Sequence, residues 1–198
     1  MITKISLENF KGFGPRVEAE LKPLTLLFGP NSAGKSSIIH AIHYMQTLLE
    51  ERDPNVQRTK LGGGLDLGGF KNIVHDRNLD HLMSIGFAFK LDQDSDFNTW
   101  WSPEETTART LMGLQGGNSP IREASFEVQV GYSRTLKKPL VFKSNIGVHG
   151  EHLATLSSST DGKRISLAGV NVSHPILSAI SGEEGPSTQE GTIIDHVS

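Results

Sequence analysis

Hydrophobic positions along this chain repeat with two different periods. In Met1–Phe13 the apolar members Ile2, Leu7 and Phe10 mark a strand that runs into a turn. Arg16–Leu21 alternates, the pattern of a half-buried second strand. Pro23-Leu24-Thr25-Leu26-Leu27-Phe28 is a short apolar run and predicts a buried strand. The period then changes. Ile38, Ile39, Ala41, Ile42, Tyr44, Met45, Leu48 and Leu49 recur at helical spacing up to Glu50-Glu51-Arg52-Asp53-Pro54, where the proline closes the helix.

Beyond that helix, Gly62-Gly63-Gly64 with Asp66, Gly68 and Gly69 reads as a flexible link into a short helical turn, Phe70 to His75. His81–Leu91 reads as a strand and Asp92–Asn98 as an acidic loop. Ser102, Pro103 and Glu105 after Trp100-Trp101 form a capping-box helix start, with the helix running to about Leu114. The paired tryptophans are expected to plug a core edge. Ala124–Tyr132, Leu140–Val148, His152–Leu156 and Ile165–Ala168 read as strands, the last two joined through an Asp161-Gly162 hairpin turn. This divides the chain into residues 1–80 (strands, loop and helix), 81–170 (a mainly antiparallel β-subdomain) and 171–198 (loop or linker).

Between the apolar run and the helix stands Gly29-Pro30-Asn31-Ser32-Ala33-Gly34-Lys35-Ser36, which fits the phosphate-binding pattern G-x-x-x-x-G-K-S/T. Gly29 and Gly34 permit backbone conformations in which successive N–H groups point inward at phosphate oxygens. Lys35 would reach the β- and γ-phosphates, and the Ser36 hydroxyl would ligate Mg²⁺. The helix that follows, starting with Ser37, adds its positive end to the same anion site. Strand, loop and helix is the context this motif requires, so ATP with Mg²⁺ is the expected ligand.

The opening segment narrows the family. Ile2-Thr3-Lys4-Ile5-Ser6-Leu7-Glu8-Asn9-Phe10-Lys11-Gly12-Phe13, followed by the phosphate loop, resembles the start of the ABC-type ATPases of the SMC, RecF and OLD group. Leu65–His75 resembles, more loosely, a segment after the first helix of OLD-like AAA family ATPases. The resemblance implies an α/β fold: a P-loop NTPase, the N-terminal lobe of an ABC-type ATPase head, with an antiparallel β-subdomain. It implies that Lys11 contacts a phosphate or the base, and that Asn31 orients the γ-phosphate or the attacking water. It also implies a protein acting in DNA repair or anti-phage defence, and the use of ATP points to the cytoplasm. Its partners would be a second ATPase head, a C-terminal lobe in the same or another chain, and DNA or an effector nuclease. The alternative is a nucleotide-sensing regulatory module that gates a nuclease without turnover.

A complete head of that group also needs a Gln-bearing loop, a signature helix and a Walker B strand ending in acid residues. Ile180-Ser181-Gly182-Glu183-Glu184-Gly185 and Thr192-Ile193-Ile194-Asp195 imitate the last two but lack their surroundings, and Gln57 is a poor candidate for the first. No catalytic residue is therefore assigned. With 36% hydrophobic residues among 198 the chain can build a core, and no apolar run approaches membrane length. The absence of cysteine excludes disulfides and thiolate chemistry, and a net charge of −3 excludes a uniformly basic surface. His40 and His43 have a metal-capable spacing without a third ligand nearby, and read as ordinary helix histidines. His75 and Asp76 lie where related ATPases approach nucleotide or DNA. Lys60, Lys71 and Arg77 read as a solvated face that DNA phosphates could meet.

Overall fold

Side chains alternate across a strand, so Ile5 and Leu7 of β1 (Ile2–Glu8) project from one face. Opposite them in register lie Phe87 and Ile85 of β3 (Met83–Lys90), and opposite those lie Phe126 and Val128 of β4 (Glu123–Ser133). One apolar face is thus continuous over three strands. The computed structural model describes residues 1–30, 34–59, 64–90 and 122–175 and the backbone of 193–195. Its strands form one eight-stranded sheet in the order β2-β1-β3-β4-β5-β6-β7-β8, with every neighbour antiparallel. The remaining strands are β2 (Val17–Glu20), β5 (Lys138–Val148), β6 (Glu151–Ser158), β7 (Arg164–Val170) and β8 (Ile193–Asp195).

The helix α1 (Lys35–Glu51) covers that apolar face. Ala41, Tyr44, Met45 and Leu48 recur at the three- and four-residue spacing of one helix face, and all four are buried with Ile5, Leu7, Met83, Ile85, Val128 and Val130. Each fully buried side chain of this size contributes about 1.5–3 kcal/mol relative to exposure. Arg52, in the left-handed conformation, ends the helix by donating its N–H to the Leu48 carbonyl. The Tyr44 hydroxyl donates to the Pro54 carbonyl at 2.9 Å, so the exit of α1 is fixed to the core. Burial raises the pKa of that phenol and keeps it neutral.

The strands expected at 81–91 and between 124 and 168 are present, with ends shifted by a few residues. The Asp161-Gly162 turn is present too: Gly162 donates to the Ser159 carbonyl, and the Asp161 carboxylate accepts from Ser159 Oγ and the Lys163 N–H. In the stretch expected to be a flexible link into Phe70, the described residues are paired. Residues 56–59 and 65–69 pair back to back, with Thr59 donating to Leu65 and Leu67 to Gln57, and lead into a one-turn helix α2 (Phe70–Ile73) and a 3₁₀ turn (His75–Arg77).

The run Pro23–Phe28 corrects the expected buried strand. It forms no strand, and Leu24, Leu26 and Phe28 are largely exposed. The local chemistry explains the turn at its start. Pro23 has no N–H, and the Thr25 hydroxyl both accepts from the Lys22 N–H and donates to the Lys22 carbonyl. A strand apolar on both faces also needs neighbours, and no strand among the described residues pairs with this one. Ile193–Asp195, in the stretch expected to be loop or linker, forms the edge strand β8 against Arg164–Ser166. That edge is the far side of the sheet from β1 and β2, and the pairing is antiparallel, so Asp195 is not placed beside the phosphate loop. The proposed helix from Ser102 to Leu114, the two tryptophans and Ile180–Gly185 lie outside the described residues.

Candidate nucleotide-binding site

The phosphate loop delivers the chain into α1 through Gly34, whose φ of 87° and ψ of 2° are left-handed. A Cβ at this position would also lie 2.6 Å from Cζ of Phe13. Conformation and packing both require glycine here. As the N-cap, Gly34 offers no side chain to accept from the first-turn N–H groups of α1, so those dipoles face the loop mouth. The Lys35 ammonium folds back across the start of the loop and donates to the carbonyls of Gly29 at 2.7 Å and Pro30 at 2.6 Å. Ser36 is exposed at the helix start, and Ser37 donates its N–H to the Gly34 carbonyl. Asn31, Ser32 and Ala33 lie outside the described residues. An uncapped helix start, an ammonium over the loop and an exposed hydroxyl form the donor set that a triphosphate and Mg²⁺ use.

The Asn-Phe-Lys turn abuts this loop. Phe10 and Phe13 exchange backbone hydrogen bonds at 2.9 Å, which closes a four-residue turn around Lys11 and Gly12. Phe10 is buried against Tyr44 of α1, with ring centroids 6.2 Å apart, and Phe13 packs on Gly34. A second turn supports the first. Lys11 donates its N–H to the Ile73 carbonyl at 2.6 Å, His75 donates its N–H to the Asn9 carbonyl, and the His75 ring donates from Nδ1 to the Lys11 carbonyl at 2.8 Å. Asn9, Lys11, Asp76 and Arg77 all have φ between 50° and 55°, so the two abutting turns hold four non-glycine residues in left-handed backbone. Such conformations cost about 1–3 kcal/mol each and persist where the surroundings enforce them.

Sequence reasoning marked Lys11 and left its partner unseen. The Lys11 ammonium lies 2.5 Å from Nδ1 of His40, on the outer flank of α1. Burial lowers the pKa of Lys11. Burial, then Lys11, then His43 lower that of His40. His40 and His43 belong to no metal cluster, and no such cluster exists among the described residues. His75 and Asp76 form a weak pair at 3.4 Å, and His75 acts on the Lys11 backbone. Gln57 is exposed beside Gly69, at the start of α2. Lys71 and Arg77 are exposed as expected, while Lys60 lies outside the described residues. The missed contacts join residues 21 and 29 positions apart, Phe13 with Gly34 and Lys11 with His40. The one signal available was that turn and loop both carried the family pattern.

A family model of the AAA ATPase domain matches residues 1–144 of this chain. The chain belongs to that family, whose members are nucleotide-binding P-loop ATPases. Over 79 residues it is 34% identical to the DNA replication and repair protein RecF of Roseiflexus castenholzii (strain DSM 13941 / HLO8). The aligned stretch is 38% of this chain and 20% of that protein, so the match spans only a fifth of the relative's length. That likeness accords with the resemblance of the opening segment and phosphate loop to ATPases of the SMC and RecF type. Among the described residues no helix is long and apolar enough to cross a membrane.

Proposed function

We propose that Gly29, Pro30, Asn31, Ser32, Ala33, Gly34, Lys35, Ser36 and Ser37, with Lys11, form the MgATP site of an ABC-type ATPase head of the SMC/RecF/OLD group. In this reading the chain is the N-terminal lobe of that head and works in the cytoplasm in DNA repair or anti-phage defence. The observation that carries it is the Lys35 ammonium, folded over the loop beside an uncapped helix start. Loop amides and Lys35 hold the phosphates, and Ser36 holds the Mg²⁺. The metal neutralises charge that develops on the phosphoryl oxygens. The exposed Leu24, Leu26 and Phe28 support a second lobe that packs against this run. In-line attack on the γ-phosphate then takes a carboxylate and a signature helix from that lobe and an opposing head. Without a general base the rate falls by about 10²–10⁴.

Calorimetric titration with MgATP tests the site. Charge-assisted contacts are worth about 1.5–3 kcal/mol, so Lys35→Ala is expected to weaken binding by roughly ten- to hundredfold. Equal affinity in wild type and variant contradicts the assignment.

A further inference from the structure

We propose that His40 is the positioning residue for Lys11: its neutral imidazole holds the ammonium on the flank of the phosphate-loop helix, from which a bound triphosphate draws it. This rests on the reading of the loop as an ATP site and adds to it a residue that the phosphate-binding pattern does not contain. Three observations carry it. The Lys11 ammonium has no carboxylate partner among the described residues; its contact is His40 Nδ1 at 2.5 Å. An ammonium only donates, so His40 accepts through Nδ1 and carries its proton on Nε2. The bond to the imidazole is charge-assisted on the donor side alone, whereas a phosphate oxygen also brings a negative charge that attracts the ammonium, so phosphate outcompetes the ring.

The second observation is place. His40 lies five residues after Lys35, about 7.5 Å along the helix from the loop at 1.5 Å per residue. That distance is comparable to the reach of a lysine side chain. The third is backbone. Lys11 sits at φ 50°, and both its N–H and its carbonyl are engaged, by Ile73 and by the His75 ring. The main chain is therefore fixed while the side chain is held only at its tip. Burial, and then the two groups acting on His40 among the described residues, Lys11 from the turn and His43 from the next helical turn, all disfavour a charge there. His40 consequently stays a neutral acceptor near neutral pH.

The test reads His40 directly, by nitrogen-15 NMR of the histidine side chains in the full chain at pH 8, with and without MgATP. In the nucleotide-free protein the Nδ1 signal of His40 is expected at the position of a hydrogen-bonded acceptor. On saturation with MgATP it moves to that of a free acceptor. In Lys11→Met it starts at the free position and does not move. Affinity gives a second readout from titration calorimetry. His40→Gln keeps a neutral acceptor and leaves the Kd within about twofold. His40→Glu makes the holding site anionic, retains Lys11 and weakens MgATP about tenfold, and in the Lys11→Met background that loss shrinks to about threefold or less. A His40 signal that stays put while MgATP binds overturns the proposal and leaves the phosphate loop standing. So does a His40→Glu loss that is the same with and without Lys11. Wild-type protein that binds no MgATP overturns the underlying reading instead.

Discussion

On one flank of the phosphate loop Phe10, Tyr44, Phe70 and Ile73 are each no more than 1% exposed, while on the other Leu24, Leu26 and Phe28 stand 78%, 65% and 86% exposed. Both sets consist of large apolar side chains. They differ in what meets them. Phe10 arrives where α1, α2 and β1 converge, and a hydrogen-bonded turn on each side fixes its entry. Leu24–Phe28 follows a side-chain-stabilised turn at Lys22–Thr25 and meets no neighbouring strand among the described residues. Apolarity states a demand for burial, and topology decides whether a partner is present to meet it. The proposed nucleotide site draws on the closed flank, where strained backbone and packed rings brace the loop's exit.

Substitutions on the two flanks should separate them. Phe10→Ala leaves a cavity at a fully buried site and is expected to cost about 3–5 kcal/mol in chemical denaturation. Gly34→Ala comes next, combining left-handed strain with a clash against Phe13, for about 2–4 kcal/mol. Trimming the ring first with Phe13→Ala should remove the steric part and leave about 1–2 kcal/mol. A Gly34→Ala cost unchanged by that trimming would show that the turn does not brace the loop.

A smaller effect is expected at Glu127, whose carboxylate accepts from Arg16 at 2.7 Å and from Ser84 at 2.8 Å. Burial pushes its pKa up, but Arg16 and Ser84 outweigh it, and the net shift is downward from 4.5. The unfolded chain therefore binds this proton at higher pH than the folded one. The contribution is fully present above pH 4.5 and is lost as pH falls through the folded value. The stability gap between wild type and Glu127→Gln should accordingly narrow with acidification, and a gap that widens contradicts the linkage. The smallest effect belongs to the open flank. Phe28→Ala should change unfolding free energy by no more than about 0.5 kcal/mol, and Phe28→Ser should lower self-association in light scattering. A loss comparable to that of Phe10→Ala would mean the open flank is packed after all.

Much of this architecture was legible in local pattern. Helical spacing from Ile38 to Leu49 gave α1, and alternation between 124 and 168 gave four consecutive strands, because period and turn chemistry are properties of neighbouring residues. The Gly-Lys-Ser spacing located the candidate site for the same reason. The failures are non-local. Pro23–Phe28 carries the composition of a buried strand, but composition does not say which strand lies beside it. Lys11 and His40 meet because Phe10 packs on Tyr44 and so brings the turn down onto α1. His75 was read as lying where related ATPases approach nucleotide or DNA, and its ring donates to the Lys11 carbonyl. Sequence separations of 29 and 64 residues fall outside any window in which periodicity can be counted.

The central claim is that nucleotide binds on the closed flank, and amide hydrogen exchange with and without MgATP tests it most directly. Ordering a loop and turn around a ligand raises the free energy of local opening there. The account predicts added protection at Lys11–Gly14 and Lys35–Ile39, with β5 to β7 unchanged, and loss of that protection in Lys35→Ala. Protection confined to β5–β7, or an unchanged exchange pattern at saturating MgATP, would contradict it.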